Sequence, residues 1–170
     1  MLRESVAAER LSNSGWPVNR AAGEPPLHLS IVPRSDLPAR QSDYIRARMS
    51  LPQHADDEGP RHVWDNPVCE RMLFGVLMGS TAIGAIYHGG PPYACDVAWW
   101  LDSEFRGRGL GSAMVDALAV RLRSEGVTGI GEITIQGRFR LQSAALVRRL
   151  KRLITEERRS SWWFRFPGRG

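Results

Sequence analysis

The chain has 170 residues, enough for one domain with a real core, and its apolar content of 42% excludes a disordered or fibrous protein. Its formal charge of +5 is unevenly spread: ten Arg or Lys stand between Arg138 and Gly170 against Glu156 and Glu157, so the rest is net acidic. Such a basic patch suits nucleic acid, an acidic protein or a phosphorylated ligand, and equally a solvated helix face.

Cys69 and Cys95 have no C-x-x-C or partnered His spacing. They argue against a disulfide framework or a zinc site and fit a reducing cytoplasm. The N-terminus lacks the apolar block of a signal peptide. The uncharged run from Met72 to Cys95 is broken by Gly79-Ser80, Gly89-Gly90 and Pro91-Pro92, so it reads as a hairpin in a core and no membrane partner is expected.

In chain order, residues 1–26 mix Ser, Asn, Gly and Pro without sustained periodicity and read as a flexible or loosely docked extension, with room for a short helix near Ser5 to Leu11. A single domain is expected over 27–170. L-H-L-S-I-V from Leu27 alternates as a strand does until Pro33, and Ser35-Asp36 offers an N-cap for a helix over Leu37 to Met49. Ser50 to Pro67 is polar and proline-punctuated; its His54, Asp56, Asp57, Glu58, His62 and Asp65 lack metal-ligand spacing, so a surface loop near the acceptor site is expected and no metal.

Cys69 to Met78 and Thr81 to His88 read as strands joined by the two-residue turn Gly79-Ser80. Ala94 to Leu101 is the next strand, with Asp96, Ala98 and Trp100 on one face and Cys95, Val97, Trp99 and Leu101 on the other. Leu110, Ala113, Met114, Ala117, Leu118 and Leu122 recur at helical spacing, and Gly126 suits the residue just past that helix. A short strand over Glu132 to Gln136, a basic helix over Gln142 to Leu153, and two strands, Leu153 to Glu157 and Trp162 to Phe166, complete the reading. The order implies a mixed sheet with helices on its faces.

Phe105 to Gly111, F-R-G-R-G-L-G, sits between an apolar strand and an amphipathic helix. Gly107, Gly109 and Gly111 give a backbone bare of side chains where the positive end of a helix dipole begins, which is an anion cradle. A Rossmann fingerprint would need G-x-G-x-x-G directly after the strand, and G-R-G-L-G-S lacks the last glycine; there is no G-x-x-x-x-G-K-S/T either.

Residues 94–119 resemble the GCN5-related N-acetyltransferase superfamily, and within it the branch similar to ribosomal-protein N-terminal acetyltransferases. The superfamily motif Q/R-x-x-G-x-G/A is matched by Arg106, Gly109 and Gly111. The resemblance implies an α/β (α+β) fold with a mixed, mostly antiparallel sheet of six to seven strands flanked by helices. It implies acetyl-CoA as acyl donor, with the backbone of Arg106, Gly107, Arg108, Gly109, Leu110, Gly111 and Ser112 holding its pyrophosphate and Trp99, Trp100 and Leu101 forming the strand along its pantetheine arm.

The chemistry of such a site is attack of a neutral primary amine on a thioester, with an N–H donor for the oxyanion and a group to take the amine's proton. Asp96 falls where relatives carry the corresponding Glu and is the first choice for general base; a strand-edge residue capping the Pro92 loop is the alternative. His88, at the end of the neighbouring strand, is second, against a solvated strand end. Beyond Gln136 the resemblance fades. Ser143 matches a serine of relatives, counted with the donor-binding residues, but Arg140 stands at the Asn position and Val147 near the Tyr position, so the usual tyrosine acid is missing.

A cytoplasmic N-acyltransferase is therefore expected, using acyl-CoA and an unidentified amine, either a small molecule or a protein N-terminus. The alternative is a protein of this fold that binds a partner, RNA or the ribosome through its arginine-rich C-terminal region, with catalysis weakened. Trp162 and Trp163 line the acceptor pocket in this reading or close the core. Oligomeric state stays open, a homodimer included.

Overall fold

A computed structural model describes residues 16–18, 27–55, 59–134 and 140–163. Six strands form one sheet in sequence order: β1 (Trp16–Val18), β2 (Leu27–Pro33), β3 (Leu73–Met78), β4 (Thr81–Gly89), β5 (Cys95–Leu101) and β6 (Ile130–Thr134). Each neighbouring pair is antiparallel except β5 with β6. Helix α1 (Ala39–Met49) follows β2, α2 (Leu110–Ser124) connects β5 to β6 as a crossover, and α3 (Arg140–Trp163) follows β6. The mixed, mostly antiparallel sheet flanked by helices is the expected class, at the lower end of the expected strand count.

Alternation along β5 separates two cores. Cys95, Val97 and Leu101 pack with Met114, Leu118 and Leu122 of α2 and Leu150 and Ile154 of α3. On the opposite face Trp100 joins Ile45 and Met49 of α1, with Leu37 and Trp64. The hairpin turn falls at Gly79-Ser80 as read, with Gly79 at φ 61° in the left-handed region that a side chain resists.

Five elements differ from the sequence reading, one of them the strand expected from Trp162 to Phe166, whose first two residues end α3. Trp16–Val18, inside the stretch read as an extension, pairs with Leu27–Leu29 as an edge strand. Ser35 and Asp36 sit in a 3₁₀ turn, and α1 starts later, behind Pro38, which has no capping side chain. Cys69 to Met72 are not strand: Pro67–Met72 is a 3₁₀ helix, opened by Pro67 and by the Asn66 side chain accepting from the Val68 N–H.

Leu153 to Glu157 continue α3 instead of forming a strand. Leu146, Leu150, Leu153 and Ile154 extend one apolar stripe, with Leu150 and Ile154 buried, and the β-branched Thr155 turns its hydroxyl back to the Lys151 carbonyl at 2.7 Å. Burial of that stripe outweighs the local β preference of L-I-T. Phe164 to Phe166 and the helix near Ser5 lie outside the described residues.

Candidate active site

β5 leads into the glycine loop through Asp102, whose side chain accepts from the Glu104 N–H and caps the 3₁₀ turn Ser103–Phe105. Gly107 and Gly109 both take φ 75°, and no described residue stands within 4 Å of where a Cβ would project from either. Gly109 is the N-cap of α2 and gives it no capping side chain, so the first amides of the helix lack that partner. Gly111 serves packing: a Cβ there would stand 3.1 Å from Leu146 Cδ1 of α3.

The other loop residues divide their tasks. Arg106 turns inward, its Nε donating to the Leu101 carbonyl at 2.8 Å, and so ties the loop to the end of β5. Arg108 and Ser112 are exposed, while Leu110 anchors the helix start in the core. Beside Ser112 lies a cleft of about 490 Å³ lined also by Ala145, Leu146, Arg148, Arg149 and Arg152 of α3. Arg149 grips Asp116 of α2 through two bonds of 2.6 and 2.7 Å, which raises its pKa and fixes that wall of the cleft. Ser143 belongs to the first turns of α3.

β5–β6 pairing is described as far as Ala98↔Thr134. The Asp102 N–H bonds Ile83 of β4 at 2.9 Å, and a Cβ on Gly84 of β4 would stand 2.6 Å from the Trp100 carbonyl. Trp100 therefore turns its backbone toward β4, and by alternation Trp99 and Leu101 turn theirs toward the β6 side. Trp99 is half-buried against the α2 core, and Trp100 and Leu101 are buried.

Asp96 is exposed and lies opposite a bulge: Cys95 pairs with Ile130 and Val97 with Ile133, so Asp96 alone faces Gly131 and Glu132. A Cβ on Gly131 would stand 2.8 Å from Asp96 Oδ1, and one on Gly90 3.7 Å from Oδ2. Gly131 makes room for this carboxylate, whereas a Cβ on Gly90 would make only ordinary contact. Tyr87 shares its face: the phenol leans over Gly89, the register partner of Asp96, with its Oη 2.8 Å from where a Gly89 Cβ would be. Burial, helped by Cys69 and Asp96 nearby, raises the Tyr87 pKa and keeps the phenol protonated. The sequence reading passed over Tyr87, although its parity on the hairpin strand was the available signal.

His88 and Asp96 are not brought together. His88 pairs with Val97 and points to the α2 face, stacked on Phe74 at 4.8 Å with Nε2 3.3 Å from Glu125 Oε2 at the end of α2. Burial pushes its pKa down, the Arg121 charge adds to this, and Glu125 opposes.

The face that carries Asp96 also holds a polar cluster that sequence reasoning missed. His54, expected in a surface loop, is fully buried, as is Asp102. The Trp100 indole N–H donates to His54 Nδ1 at 3.3 Å, and His54 Nε2 lies 3.3 Å from Ser103 Oγ and 3.6 Å from Asp102 Oδ1. Arg48 of α1 donates to both Asp102 oxygens at 2.5 and 2.8 Å and reaches Glu104 at 2.9 Å. Burial alone would raise the Asp102 pKa; the Arg48 bonds and the Glu104 N–H outweigh it and hold the carboxyl below its ordinary value. No group of three or more potential metal ligands occurs among the described residues.

A mixed, mostly antiparallel sheet in which a glycine loop and a crossover helix link the parallel pair β5 and β6 defines the class of fold. Residues 31–150 match the Acetyltransferase (GNAT) family, and the chain belongs to that family. Among curated proteins, none matches its sequence.

Solved structures are similar to the chain at low identity. An acetyltransferase from Agrobacterium tumefaciens str. C58 is 17% identical with a TM-score of 0.50, the match covering 78% of this chain and 86% of that one. RimL, described as a ribosomal L7/L12 alpha-N-protein acetyltransferase, is 18% identical with a TM-score of 0.49 over 79% and 84% of the two chains. Ard1 from Thermoplasma volcanium is 14% identical with a TM-score of 0.44, covering 58% of this chain and 66% of its own.

Proposed function

We propose that this acetyltransferase-family protein moves an acetyl group from acetyl-CoA to a primary amine by direct attack. The observation that carries the reading is the glycine loop between β5 and α2, where Gly107 and Gly109 both take φ 75° with no described residue within 4 Å of where a Cβ would project from either. These residues fit the donor: the amides at the start of α2 suit its pyrophosphate, the Trp99 and Leu101 backbone its pantetheine arm, and the arginine-lined cleft beside Ser112 its remaining phosphate. When bound, the donor supplies an activated acyl group as a thioester.

In the proposed chemistry the chain contributes position and a proton acceptor. Asp96 takes a proton from the attacking amine, directly or through water, as the amide C–N bond forms and the thioester C–S bond breaks, CoA leaving as a thiolate that takes its proton from water. The bulge and Gly131 opposite Asp96 leave space for the carboxylate. A backbone N–H near Val97 to Trp99 stabilises the oxyanion. Tyr87, held protonated on the same face, stands on the acceptor side; His88, on the other face, is left out of the chemistry.

Calorimetric titration with acetyl-CoA tests the donor assignment, with saturable binding expected. Thiol release across a panel of aminoglycosides, polyamines, amino acids and peptide N-termini then identifies the acceptor. Asp96→Asn is expected to lower turnover at saturating acetyl-CoA while leaving acetyl-CoA affinity intact; an unchanged rate would remove Asp96 as base. A second reading rests on the exposed Arg148, Lys151 and Arg152 of α3: binding of RNA with steep salt dependence and no amine turnover would favour it.

A further inference from the structure

One segment of the chain touches three successive parts of the donor strand and its loop. Residues 51–55 leave α1 and bury His54 beneath Trp100 and against Ser103 and Asp102, and Gly59 stands beside the Trp99 backbone. A Cβ on Gly59 would stand 3.1 Å from the Trp99 carbonyl oxygen, and Gly59 holds φ 125°, so only glycine suits this approach. Arg61 closes the segment on itself, its Nη1 donating to the His54 and Ala55 carbonyls at 3.3 Å each.

The hydrogen bonds at His54 are directional. An indole nitrogen can only donate, so His54 Nδ1 accepts from Trp100 and the ring proton lies on Nε2, toward Ser103 Oγ and Asp102 Oδ1. Asp102 is in turn clamped by Arg48 and fixes the 3₁₀ turn leading to the glycine loop. The chain Arg48–Asp102–His54–Trp100 therefore runs from α1 through the loop approach into β5, with His54 and Asp102 both fully buried. In so dry a setting each such bond restricts its partners strongly.

We infer that His54 is a positioning residue, setting the Trp99–Asp102 backbone and the glycine-loop approach in one register with residues 51–55 and 59–62 on the acceptor side. The inference rests on the acetyl-CoA reading above. It assigns to a histidine that touches no reactant the task of keeping the strand edge shaped for the pantetheine arm. Packing of an imidazole-sized group alone would not do this, because the constraint lies in one accepted and one donated hydrogen bond.

The test uses the full chain with acetyl-CoA as probe, its affinity measured by calorimetry well below the melting temperature of each variant, and circular dichroism as a check of folding. His54→Ala is expected to weaken acetyl-CoA binding about tenfold, the loss of about one buried hydrogen bond's worth of register. His54→Gln, which keeps an acceptor and a donor at similar reach, is expected to recover most of it. His54→Leu, which restores volume only, is expected to remain weak.

Wild-type affinity in His54→Leu, or in His54→Ala, overturns the inference and leaves His54 a core filler. Should His54→Ala fail to fold, Trp100→Phe deletes only the indole N–H, with about threefold weaker binding expected and unchanged binding overturning the proposal. A wild-type protein that does not bind acetyl-CoA overturns the donor reading itself, a result distinct from any difference among the variants.

Discussion

The two faces of the sheet are held together by different forces. The face covered by α2 and α3 is closed by apolar side chains, among them Val97, Met114, Leu118, Leu122 and Leu150. The face covered by α1 has its own apolar cluster around Trp64 and Trp100, but where it meets the glycine loop it is closed by Arg48, His54, Asp102 and Ser103. Apolar burial is non-directional and tolerates small shifts, whereas buried hydrogen bonds hold atoms in one arrangement and leave costly unpaired groups when broken. The molecule thus uses bulk packing to form the sheet and polar contacts to fix the strand edge and the loop.

The widest separation of the faces comes from deleting one member of each set. Asp102→Ala leaves Arg48 and the Glu104 N–H without their buried partner and is expected to cost about 3–5 kcal/mol in denaturant unfolding. Leu118→Ala, at a position with no exposure, is expected to cost about 2–5 kcal/mol but with no pH dependence. Asp102 has a folded pKa below its unfolded value, so its contribution is fully present above about pH 4 and is lost as pH falls through the folded value. Acid titration of stability should therefore be shallower in Asp102→Asn than in wild type, and a parallel pair of curves would refute the polar account of this face.

Gly109→Val comes next. Forcing a β-branched residue to φ 75° costs about 1–3 kcal/mol and obstructs the open space above the loop, so acetyl-CoA binding should fall by up to about 100-fold with the sheet intact. A titration showing wild-type affinity would mean that the glycines serve only the turn. His88 sharpens the contrast more gently. Burial lowers its folded pKa, so its stabilising contribution is present above about pH 6.5 and is lost as pH drops below that; His88→Gln should flatten this part of the stability curve without moving the pH–rate profile.

The smallest effect is expected at the cleft. Arg148→Ser and Arg152→Ser should each weaken acetyl-CoA binding by only a few fold, and the loss should shrink as salt rises, because exposed charges are screened. Loss of affinity that is indifferent to salt would place these arginines in structure instead of in phosphate binding.

Most of the α2 face was legible in the chain. Strict alternation in β5 and helical spacing from Leu110 to Leu122 each encode one buried stripe, and the left-handed glycines announce the loop between them. Other features were not. Leu153–Glu157 looked extended from three residues, yet its stripe is continuous with Leu146 and Leu150 on one helix, a relation visible only over a longer window. His54, amid Asp and Glu in a proline-punctuated stretch, carries no sign of burial, because the groups that satisfy it lie 46 and 49 positions away in Trp100 and Ser103.

The sequence by itself determined the strand, loop and helix of the proposed donor site, since those depend on local spacing and on backbone angles that glycine alone takes easily. Tertiary structure decided which polar residues act together. Cross-strand register set Asp96 against a bulge and beside Tyr87, and put His88 behind the sheet. The chain just past α1 brought His54 under Trp100, a contact no local pattern encodes because its cost and its compensation lie on distant parts of the chain.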